Sequence, residues 1–357
     1  MGLEDSSRLC SEGSTIGSEG ISLVKEGARM VPQERKLKVA VMIDAADWVK
    51  SLIENRLNGQ YEVVFVNTIA TERLPDNAID ADTLVTWRAT GALISSAPRL
   101  RLIQVWGAGV DQIDMDTVGT RGIIVRTTAG CMANAISEYV IMHILTWERE
   151  LLHWNNVGKS GDWSWDVRNG HAFSELSDRS LGIIGLGHIG SQVAKRAKSF
   201  GMKVYAIKRN PSHVPEQLAS YLDFVGGRNA LPYVLRSSDY VTLHVPLTGE
   251  TTHLVADREL KLMKRSAVLI NTSRGAVIDE NALRIALGNK WIRGASLDVT
   301  TKEPLDKENM FSDLDNVIIT CHHAGFTRQS VERFIEVIRQ NLEWFRADAR
   351  RAAKPGE

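Results

Sequence analysis

Short apolar runs alternate with helical patterns along most of this chain. Runs rich in β-branched residues predict ten strands, at Lys38–Ile43, Tyr61–Val66, Leu100–Val105, Ile123–Arg126, Leu181–Gly185, Val204–Ile207, Tyr240–His244, Ala267–Asn271, Ala295–Val299 and Val317–Thr320. Apolar residues at helical spacing predict helices at Asp47–Leu57, Ile136–Leu152, Ile189–Phe200, Asp279–Leu287 and Arg328–Arg346. Strands that are apolar throughout are typical of parallel sheets covered by helices on both faces. The alternation therefore predicts a doubly wound α/β fold.

The length of the chain predicts more than one domain. Its 357 residues exceed what a single hydrophobic core usually organises, so two domains are expected. Residues 1–36 are rich in Gly, Ser and Glu and have little apolar periodicity. We expect them to form a flexible N-terminal extension, with the folded part beginning near Lys38.

Charge and cysteine content exclude several classes of function. Lys+Arg and Asp+Glu both number 43, and a net charge of zero disfavours a nucleic-acid-binding protein. The three cysteines, Cys10, Cys131 and Cys321, form no CxxC pair, so neither a disulfide framework nor a metal site is predicted. We expect a reducing, cytoplasmic environment and no membrane segment.

A glycine-rich turn follows one of the predicted strands. Gly185, Gly187 and Gly190 have the spacing GxGxxG, between the apolar run 181–184 and a helix that begins near His188. The first glycine permits a tight turn, the second lets a pyrophosphate approach the backbone, and the third lets the helix pack closely on the strand. The free N–H groups of the helix N-terminus would then bind the phosphates of a dinucleotide.

The next strand indicates which dinucleotide binds. An NAD site usually ends this strand in Asp or Glu, which binds the ribose 2′-OH. Here the strand Val204–Ile207 is followed by Lys208, Arg209 and Asn210, and no carboxylate occupies the turn. Two cations would pair with a 2′-phosphate, so NADP(H) is favoured and NAD(H) is the alternative. The alternative is that Lys208 and Arg209 are only solvated charges at the end of a strand and bind no phosphate.

Three residues in the last third of the chain suit the reduction of a keto acid. That reaction needs a proton donor for the carbonyl oxygen, a cation for the carboxylate and a partner that keeps the donor protonated. His322, Arg274 and Glu303 are candidates for these roles in that order. Each follows a predicted strand, and open α/β sheets bind ligands at the carboxyl ends of their strands.

Six motifs occur in the order typical of one enzyme family. They are Val105–Asp114, Gly185–Gly190, His244–Thr251, Asn271–Asp279, Leu297–Leu305 and Thr320–Gly325. With them the chain resembles the D-isomer-specific 2-hydroxyacid dehydrogenases, which include glyoxylate/hydroxypyruvate reductases. The resemblance extends from about Lys38 to Phe345.

The resemblance implies a role for each catalytic candidate. Arg274 would bind the carboxylate and keto oxygen of the substrate, and His322 would be the general acid in reduction. Glu303 would hydrogen-bond the imidazole of His322 and keep it protonated. The backbone N–H groups of Ala108 and Gly109 would bind the substrate carboxylate.

The resemblance also implies a set of cofactor-binding residues. Asp298 would bind the nicotinamide carboxamide, and Thr272 and Ser273 would lie near the nicotinamide ribose. The full set joins the glycine turn and the residues after the next strand to the later motifs: Gly185, Gly187, His188, Ile189, Gly190, Lys208, Arg209, Asn210, His244, Val245, Pro246, Thr251, Thr272, Ser273, Arg274, Asp298 and His322.

The family's architecture implies how the chain is divided. Residues 37–135 and 324–357 would form a discontinuous, flavodoxin-like substrate domain, and residues 136–323 an inserted Rossmann domain for NAD(P). The active site would lie in the cleft between them. Family members are usually homodimers, through the helix that begins near Ser137.

Three positions depart from the family pattern. Cys321 stands where the family has proline, and we expect a buried, inert thiol, with oxidation sensitivity as the alternative. His323 stands where an aliphatic residue is usual, but register with Ala324 and Gly325 favours His322 as the acid. Trp106 replaces a smaller residue, and it either narrows the substrate pocket or only packs.

These features lead to one main hypothesis and two alternatives. The main one is an NAD(P)H-dependent reductase that converts a small 2-keto acid, such as glyoxylate or hydroxypyruvate, to the D-2-hydroxy acid. One alternative is a relative that oxidises phosphite or formate, although Glu303 disfavours formate oxidation. The other is a dinucleotide-sensing protein like the family's corepressors.

Overall fold

The structure, a computed structural model, describes residues 35–57, 59–67, 71–161, 163 and 173–352. The chain divides into two compact units, Met1–Cys131 with Thr327–Glu357, and Met132–Phe326. The domain boundaries predicted from the sequence, after residues 135 and 323, lie within a few residues of these. The predicted N-terminal extension lies outside the described residues, apart from its last two.

The first unit is built on a five-stranded parallel sheet. Its strands are β1 (Leu37–Met42), β2 (Tyr61–Phe65), β3 (Thr83–Thr86), β4 (Leu102–Val105) and β5 (Ile124–Arg126), in the order β2-β1-β3-β4-β5. Helices α1 (Asp47–Leu57), α2 (Gly91–Ser96) and α3 (Met115–Arg121) connect them. The sheet is parallel throughout, as predicted.

Strand β3 is absent from the sequence prediction. It has only four residues, two of them threonine, and the buried Asp82 precedes it, so the segment looks polar. Asp82 is satisfied by tertiary partners: its carboxylate accepts the Lys38 N–H at 2.9 Å and an Arg99 N–H at 3.3 Å. The three-residue edge strand β8 (Phe224–Gly226), in the second unit, was missed as well because of its length.

The C-terminal helix of the chain completes the first unit. This helix, Arg328–Ala352, extends six residues beyond its predicted end. Its predicted stripe is buried, which confirms that it packs on a core: Val331, Phe334, Ile335, Ile338, Leu342 and Phe345. The ring of Trp106, 5% exposed, lies 5.2 Å from that of Phe334. Trp106 is therefore a core residue.

The second unit contains a seven-stranded parallel sheet. Its strands are β6 (Ser180–Ile184), β7 (Lys203–Ile207), β8, β9 (Tyr240–Leu243), β10 (Val268–Asn271), β11 (Gly294–Leu297) and β12 (Val317–Ile319), in the order β12-β11-β10-β9-β6-β7-β8. The strand order reverses at β6, which lies between β7 and β9. In open α/β sheets such a reversal creates a crevice at the carboxyl ends of the two neighbouring strands where the order reverses, which here are β6 and β9.

Helices cover both faces of this sheet with apolar side chains. They are α4 (Ala133–Glu148), α6 (His188–Ser199), α7 (Glu216–Ala219), α8 (Leu231–Ser237), α9 (Asp257–Leu262) and α10 (Glu280–Gly288). The short helix α5 (Leu151–Lys159) buries none of its residues, and the C-terminal helix is α11. The prediction of two doubly wound parallel α/β sheets is confirmed. Among the described residues, no helix combines the length and apolarity needed to cross a membrane.

The single helix predicted over Ile136–Leu152 is wrong. The chain leaves the helical path after Glu148, and Glu150 has a left-handed backbone with φ of 48°. Glu148 is buried and accepts hydrogen bonds from Arg179 at 2.9 Å and from the Tyr240 hydroxyl at 2.6 Å. Glu150 pairs with Arg293 at 3.1 Å. These partners come from distant parts of the sequence, so local periodicity could not reveal the break.

Candidate active site

The carboxyl ends of five adjacent strands meet at one edge of the second unit's sheet. The pairings Ile184–Leu243, Leu243–Asn271, Asn271–Leu297 and Leu297–Ile319 place the last residues of β6, β9, β10, β11 and β12 side by side. The residues that follow these strands therefore leave the sheet together, at the edge where the sequence predicts a site: Gly185, His244, Thr272, Asp298 and Thr320.

Two glycines of the turn after β6 are required by close backbone contacts. Gly185 has φ of 107°, and a Cβ there would lie 2.5 Å from the carbonyl oxygen of His244. A Cβ on Gly190 would lie 2.2 Å from the carbonyl oxygen of Gly185. Gly187 differs, because a Cβ there would have no heavy atom within 4 Å. The space beside Gly187, at the N-terminus of the twelve-residue helix α6, suits an approaching phosphate.

The cations after β7 lie next to this turn. The Lys208 ammonium donates to the carbonyl oxygen of Leu186 at 3.1 Å, so it reaches the middle of the glycine turn. Arg209 and Asn210 are exposed, as is His188, while Ile189 is half-buried. A ligand anchored on the N-terminus of α6 would thus meet two positive charges at its outer end.

Two buried polar atoms at this edge have no partner among the described residues. They are Nδ1 of His244 and the hydroxyl oxygen of Thr272. Burial lowers the pKa of His244 to about 3, so its ring is neutral, with Nε2 hydrogen-bonded to the Thr242 hydroxyl at 3.0 Å. Buried polar atoms normally have partners, so this edge fits a ligand that carries hydroxyl or amide groups, as a dinucleotide does.

The loop after His244 is held by its own side chains. The Thr251 hydroxyl donates to the carbonyl oxygen of Pro246 at 2.6 Å and accepts the Thr248 N–H at 2.8 Å. Thr251 thus shapes the loop that presents Val245 and Pro246. In this structure its contacts are within the loop.

Arg274 lies in a loop that Asn271 organises. The Asn271 amide donates to the Arg274 carbonyl oxygen at 2.9 Å, and its oxygen accepts the Ser273 N–H at 3.0 Å and the Ser273 hydroxyl at 2.8 Å. A Cβ on Gly275 would lie 2.0 Å from the backbone of Thr300, so the loop needs glycine there. Asn271 and Gly275 both lie within the motif Asn271–Asp279, but their residue types alone predicted no role for either.

The candidate acid and its partner are in direct contact. Nδ1 of His322 lies 2.7 Å from a Glu303 carboxylate oxygen, and the other oxygen accepts the Thr300 N–H at 3.0 Å. Although burial opposes it, the hydrogen bond from His322, with smaller contributions from Thr300 and Arg274, lowers the pKa of Glu303. Glu303 is therefore ionised at neutral pH, and Arg274 is close enough to act on its charge.

His322 adopts a backbone conformation that is uncommon for a non-glycine residue. Its φ is 52°, in the left-handed region, where a non-glycine residue costs about 1–3 kcal/mol. Its N–H donates to the carbonyl oxygen of Asp298 at 2.8 Å. Asp298 itself is buried, at 4% exposed. Outliers of this kind persist only where surrounding contacts fix them, and they cluster at functional sites.

The two residues that flank His322 are both exposed. Cys321 is a free, exposed thiol, so the expectation of a buried cysteine was wrong. The strand ends at Ile319, two residues earlier, and the chain is already turning outwards at Cys321. His323 is exposed as well and has no described carboxylate on its ring. Glu303 contacts His322 instead.

Ala108 and Gly109 lie in the first unit, in the loop after β4. The loop begins at Trp106 and turns at Gly107, where φ is 149°. Ala108 is exposed and Gly109 is half-buried. Within the part of the chain that the structure describes, neither N–H has an acceptor. Both are available to an anion.

Within the described residues, no group of three His, Cys, Asp or Glu side chains is arranged to hold a metal ion.

Comparisons with known proteins point to one family. Residues 141–324 match the family model described as D-isomer specific 2-hydroxyacid dehydrogenase, NAD binding domain. A glyoxylate reductase of Thermococcus litoralis is 40% identical over 266 residues, which are 73% of this chain and 78% of that protein.

Solved structures agree with this match. A D-lactate dehydrogenase of Aquifex aeolicus, complexed with NAD and lactic acid, has a TM-score of 0.76 and 28% identity, over 89% of this chain and all of that one. An NADPH-dependent glyoxylate/hydroxypyruvate reductase of Sinorhizobium meliloti, complexed with NADP and malonate, has a TM-score of 0.74 and 26% identity, over 87% and 94%.

Alanine at two of the glycines should separate folding from ligand binding. Gly190→Ala forces a Cβ against the Gly185 carbonyl, and we expect it to lower the free energy of unfolding by about 1–3 kcal/mol. In Gly187→Ala the new Cβ lies in open space, so the free energy of unfolding should change by less than about 1 kcal/mol. The affinity for the dinucleotide should fall. Urea denaturation and fluorescence titration measure the two effects. Wild-type affinity in Gly187→Ala would contradict the assignment.

The His322–Glu303 contact predicts a defined pH dependence of stability. Because folding lowers the pKa of Glu303, its contribution is present above the ordinary value of 4.5 and is lost as pH falls through the lower folded value. Glu303→Gln should therefore reduce the urea midpoint at about pH 7 and have a much smaller effect at about pH 3. The exposed Glu308→Gln is the control. An equal reduction at both pH values would argue against the contact.

Proposed function

We propose the reaction of this chain from its family: the chain belongs to the D-isomer specific 2-hydroxyacid dehydrogenases. It is accordingly a nicotinamide-dependent oxidoreductase. We propose that it reduces a small 2-keto acid, of the size of glyoxylate or hydroxypyruvate, to the D-2-hydroxy acid. The 2.7 Å contact between His322 and Glu303, at the sheet edge that also holds Arg274, is the observation that supports this most directly.

His322 is the proton donor in this proposal. Its Nδ1 is engaged by Glu303, which leaves Nε2 to face the substrate and give a proton to the carbonyl oxygen. The ionised Glu303 stabilises the imidazolium and fixes the ring's orientation, since it is itself held by the Thr300 N–H. In the oxidative direction the neutral imidazole takes the proton back.

Arg274 binds and orients the substrate. Its guanidinium can bind a carboxylate through two N–H groups, and it also stabilises negative charge that develops on the keto oxygen. Asn271 holds the backbone on both sides of this residue, so the side chain starts from a fixed position. The N–H groups of Ala108 and Gly109 are proposed as further donors to the carboxylate.

The nicotinamide cofactor supplies hydride when it is bound. Gly187, which has open space beside it, is proposed to lie against the pyrophosphate. Nδ1 of His244 and the hydroxyl of Thr272, which have no partner among the described residues, are proposed to bind groups towards the nicotinamide. Asp298, at the end of β11, is proposed for the carboxamide. These residues follow β6, β9, β10 and β11, at the same edge of the sheet.

NADPH is the proposed form of the cofactor. A 2′-phosphate would carry up to two negative charges into the turn after β7, where Lys208 and Arg209 lie and no carboxylate follows the strand. The NADPH-dependent reductase of S. meliloti, which is similar to this chain, supports the same choice.

A homodimer is the proposed assembly, formed through the second unit. A groove of about 610 Å³ runs along α4 and α6 and is mostly apolar; it is lined by Glu138, Ile141, Met142, Leu145, Thr146, Arg149, Leu151, Arg196 and Phe200. Met142, Leu151 and Phe200 are each 45–56% exposed. Exposed apolar patches of this kind are typical of protein interfaces.

Removing the proposed acid and the proposed cation should have different kinetic effects. His322→Asn should lower kcat by at least about 100-fold, whereas Arg274→Ala should also raise KM for the keto acid. The assay follows NADPH absorbance with glyoxylate, hydroxypyruvate, pyruvate and bulkier 2-keto acids. His323→Asn is the matched control and should keep its kcat. Tight NADPH binding with no turnover of any of these acids would contradict the proposal and favour a sensor.

The cofactor preference depends on two side chains. Lys208→Ala/Arg209→Ala should lower kcat/KM for NADPH by at least about tenfold and leave that for NADH within about threefold, because NADH carries no 2′-phosphate. The control is Arg236→Ala, which removes an exposed cation from the last turn of α8. A wild-type enzyme that prefers NADH would overturn the preference.

Sedimentation equilibrium tests the assembly. The wild-type chain should have twice its mass of 39.6 kDa. Met142→Glu places a charge in the apolar groove and should shift the protein towards the monomer. Met310→Glu changes a similarly exposed methionine outside the groove and should not. A wild-type monomer at micromolar concentration would refute the homodimer.

A further inference from the structure

One buried carboxylate is bonded to the segment that carries the proposed acid. Asp298 follows β11 and His322 follows β12, and these two strands pair in parallel register. Asp298 accepts three successive backbone N–H groups: His322 on its carbonyl oxygen at 2.8 Å, His323 on Oδ1 at 3.2 Å and Ala324 on Oδ2 at 2.9 Å. One residue thus fixes the path of the chain on both sides of the His322 Cα.

The left-handed backbone of His322 depends on such bonds. With φ of 52°, His322 is in the left-handed region, which non-glycine residues seldom adopt. If the N–H groups of His323 and Ala324 lost the Asp298 carboxylate as their acceptor, the segment would relax to a commoner backbone conformation. The imidazole would then leave the position from which it contacts Glu303.

The Asp298 carboxylate also accepts a hydrogen bond from the side chain of Thr320. The Thr320 hydroxyl donates to Oδ1 of Asp298 at 2.8 Å, the same oxygen that accepts the His323 N–H. A carboxylate can rotate about its Cβ–Cγ bond, and this hydrogen bond opposes that rotation. Because Asp298 is only 4% exposed, water cannot easily replace the hydroxyl.

A tyrosine from another element adds to this arrangement. The Tyr139 hydroxyl, on α4, lies beside Thr320 and Asp298. Burial, opposed by the neighbouring Thr320 hydroxyl and reinforced by the Asp298 charge, raises the pKa of Tyr139, so the phenol stays protonated. The ring of Tyr139 is held by His143, at 4.8 Å between centroids.

We propose that Thr320 is a positioning residue for the general acid, acting through Asp298 on the backbone of His322. The hydroxyl holds the Asp298 carboxylate in the rotation that receives His323 and Ala324, and these bonds keep His322 in the conformation that reaches Glu303. This inference deepens the proposed function and rests on it. Of the about four acceptor positions of the Asp298 carboxylate, the Thr320 hydroxyl and the N–H groups of His323 and Ala324 occupy three. The Tyr139 hydroxyl hydrogen-bonds the same carboxylate.

Two substitutions at Thr320 isolate the hydroxyl. Thr320→Val keeps the shape and removes the donor, whereas Thr320→Ser keeps the donor. We expect Thr320→Val to lower kcat by at least about tenfold, with KM for the keto acid and Kd for NADPH within about twofold of wild type. Thr320→Ser should recover most of kcat. Thr120→Val, an exposed threonine on α3, is the control and should behave as wild type.

Amide hydrogen exchange provides a readout that needs no activity. In Thr320→Val the amides of residues 322–324 should exchange at least about tenfold faster, and in Thr320→Ser they should stay protected. If Thr320→Val does not fold, Thr320→Ala makes the same test. Wild-type kcat and wild-type amide protection in Thr320→Val would overturn the proposal. A Thr320→Ser variant whose kcat falls as far as that of Thr320→Val would overturn it as well.

The two proposals fail in different ways. A wild-type chain that reduces none of the 2-keto acids would remove the proposed function, while the exchange data would still decide whether Thr320 holds the segment. Normal wild-type turnover with no effect of Thr320→Val would remove only the positioning role.

Discussion

Parallel pairing in register between five neighbouring strands is the constraint on which the site depends. Each strand of the second sheet ends level with its neighbour, so loops that are far apart in sequence begin at the same edge. A shift of one residue in any pair would move the following loop by about 3.3 Å and reverse the faces of its side chains. The contact of His322 with Glu303, and that of Asp298 with the segment 322–324, both require the observed register.

Close approach between backbones is the second constraint, and glycine satisfies it. Gly185 lets the turn after β6 meet the chain after β9, and Gly190 lets helix α6 pack against the same turn. Gly275 lets the loop of Arg274 meet the loop of Glu303. In each case a Cβ would lie within 2.5 Å of backbone, where no side-chain adjustment could relieve the clash. Gly187 is the exception, and its open space is what a bound phosphate would occupy.

Much of this arrangement is predictable from sequence because local signals carry it. β-branched runs mark buried strands, and the spacing of Gly185, Gly187 and Gly190 marks the turn. The features that were not predicted depend on distant partners. The strand at Thr83–Thr86 is stable because Lys38 and Arg99 satisfy the carboxylate of Asp82. The helix ends after Glu148 because Arg179 binds Glu148 and Arg293 binds Glu150. The roles of Asn271 and Thr320 are likewise visible only as contacts.

We propose that this sheet edge positions His322 to protonate a 2-keto acid while hydride is delivered to one face of its carbonyl carbon. The most direct test is the reduction of hydroxypyruvate with NADPH that carries deuterium at the transferred C4 position, followed by chiral analysis of the product. We expect D-glycerate with one deuterium at C2. Formation of the L product, or of glycerate without deuterium at C2, would contradict it.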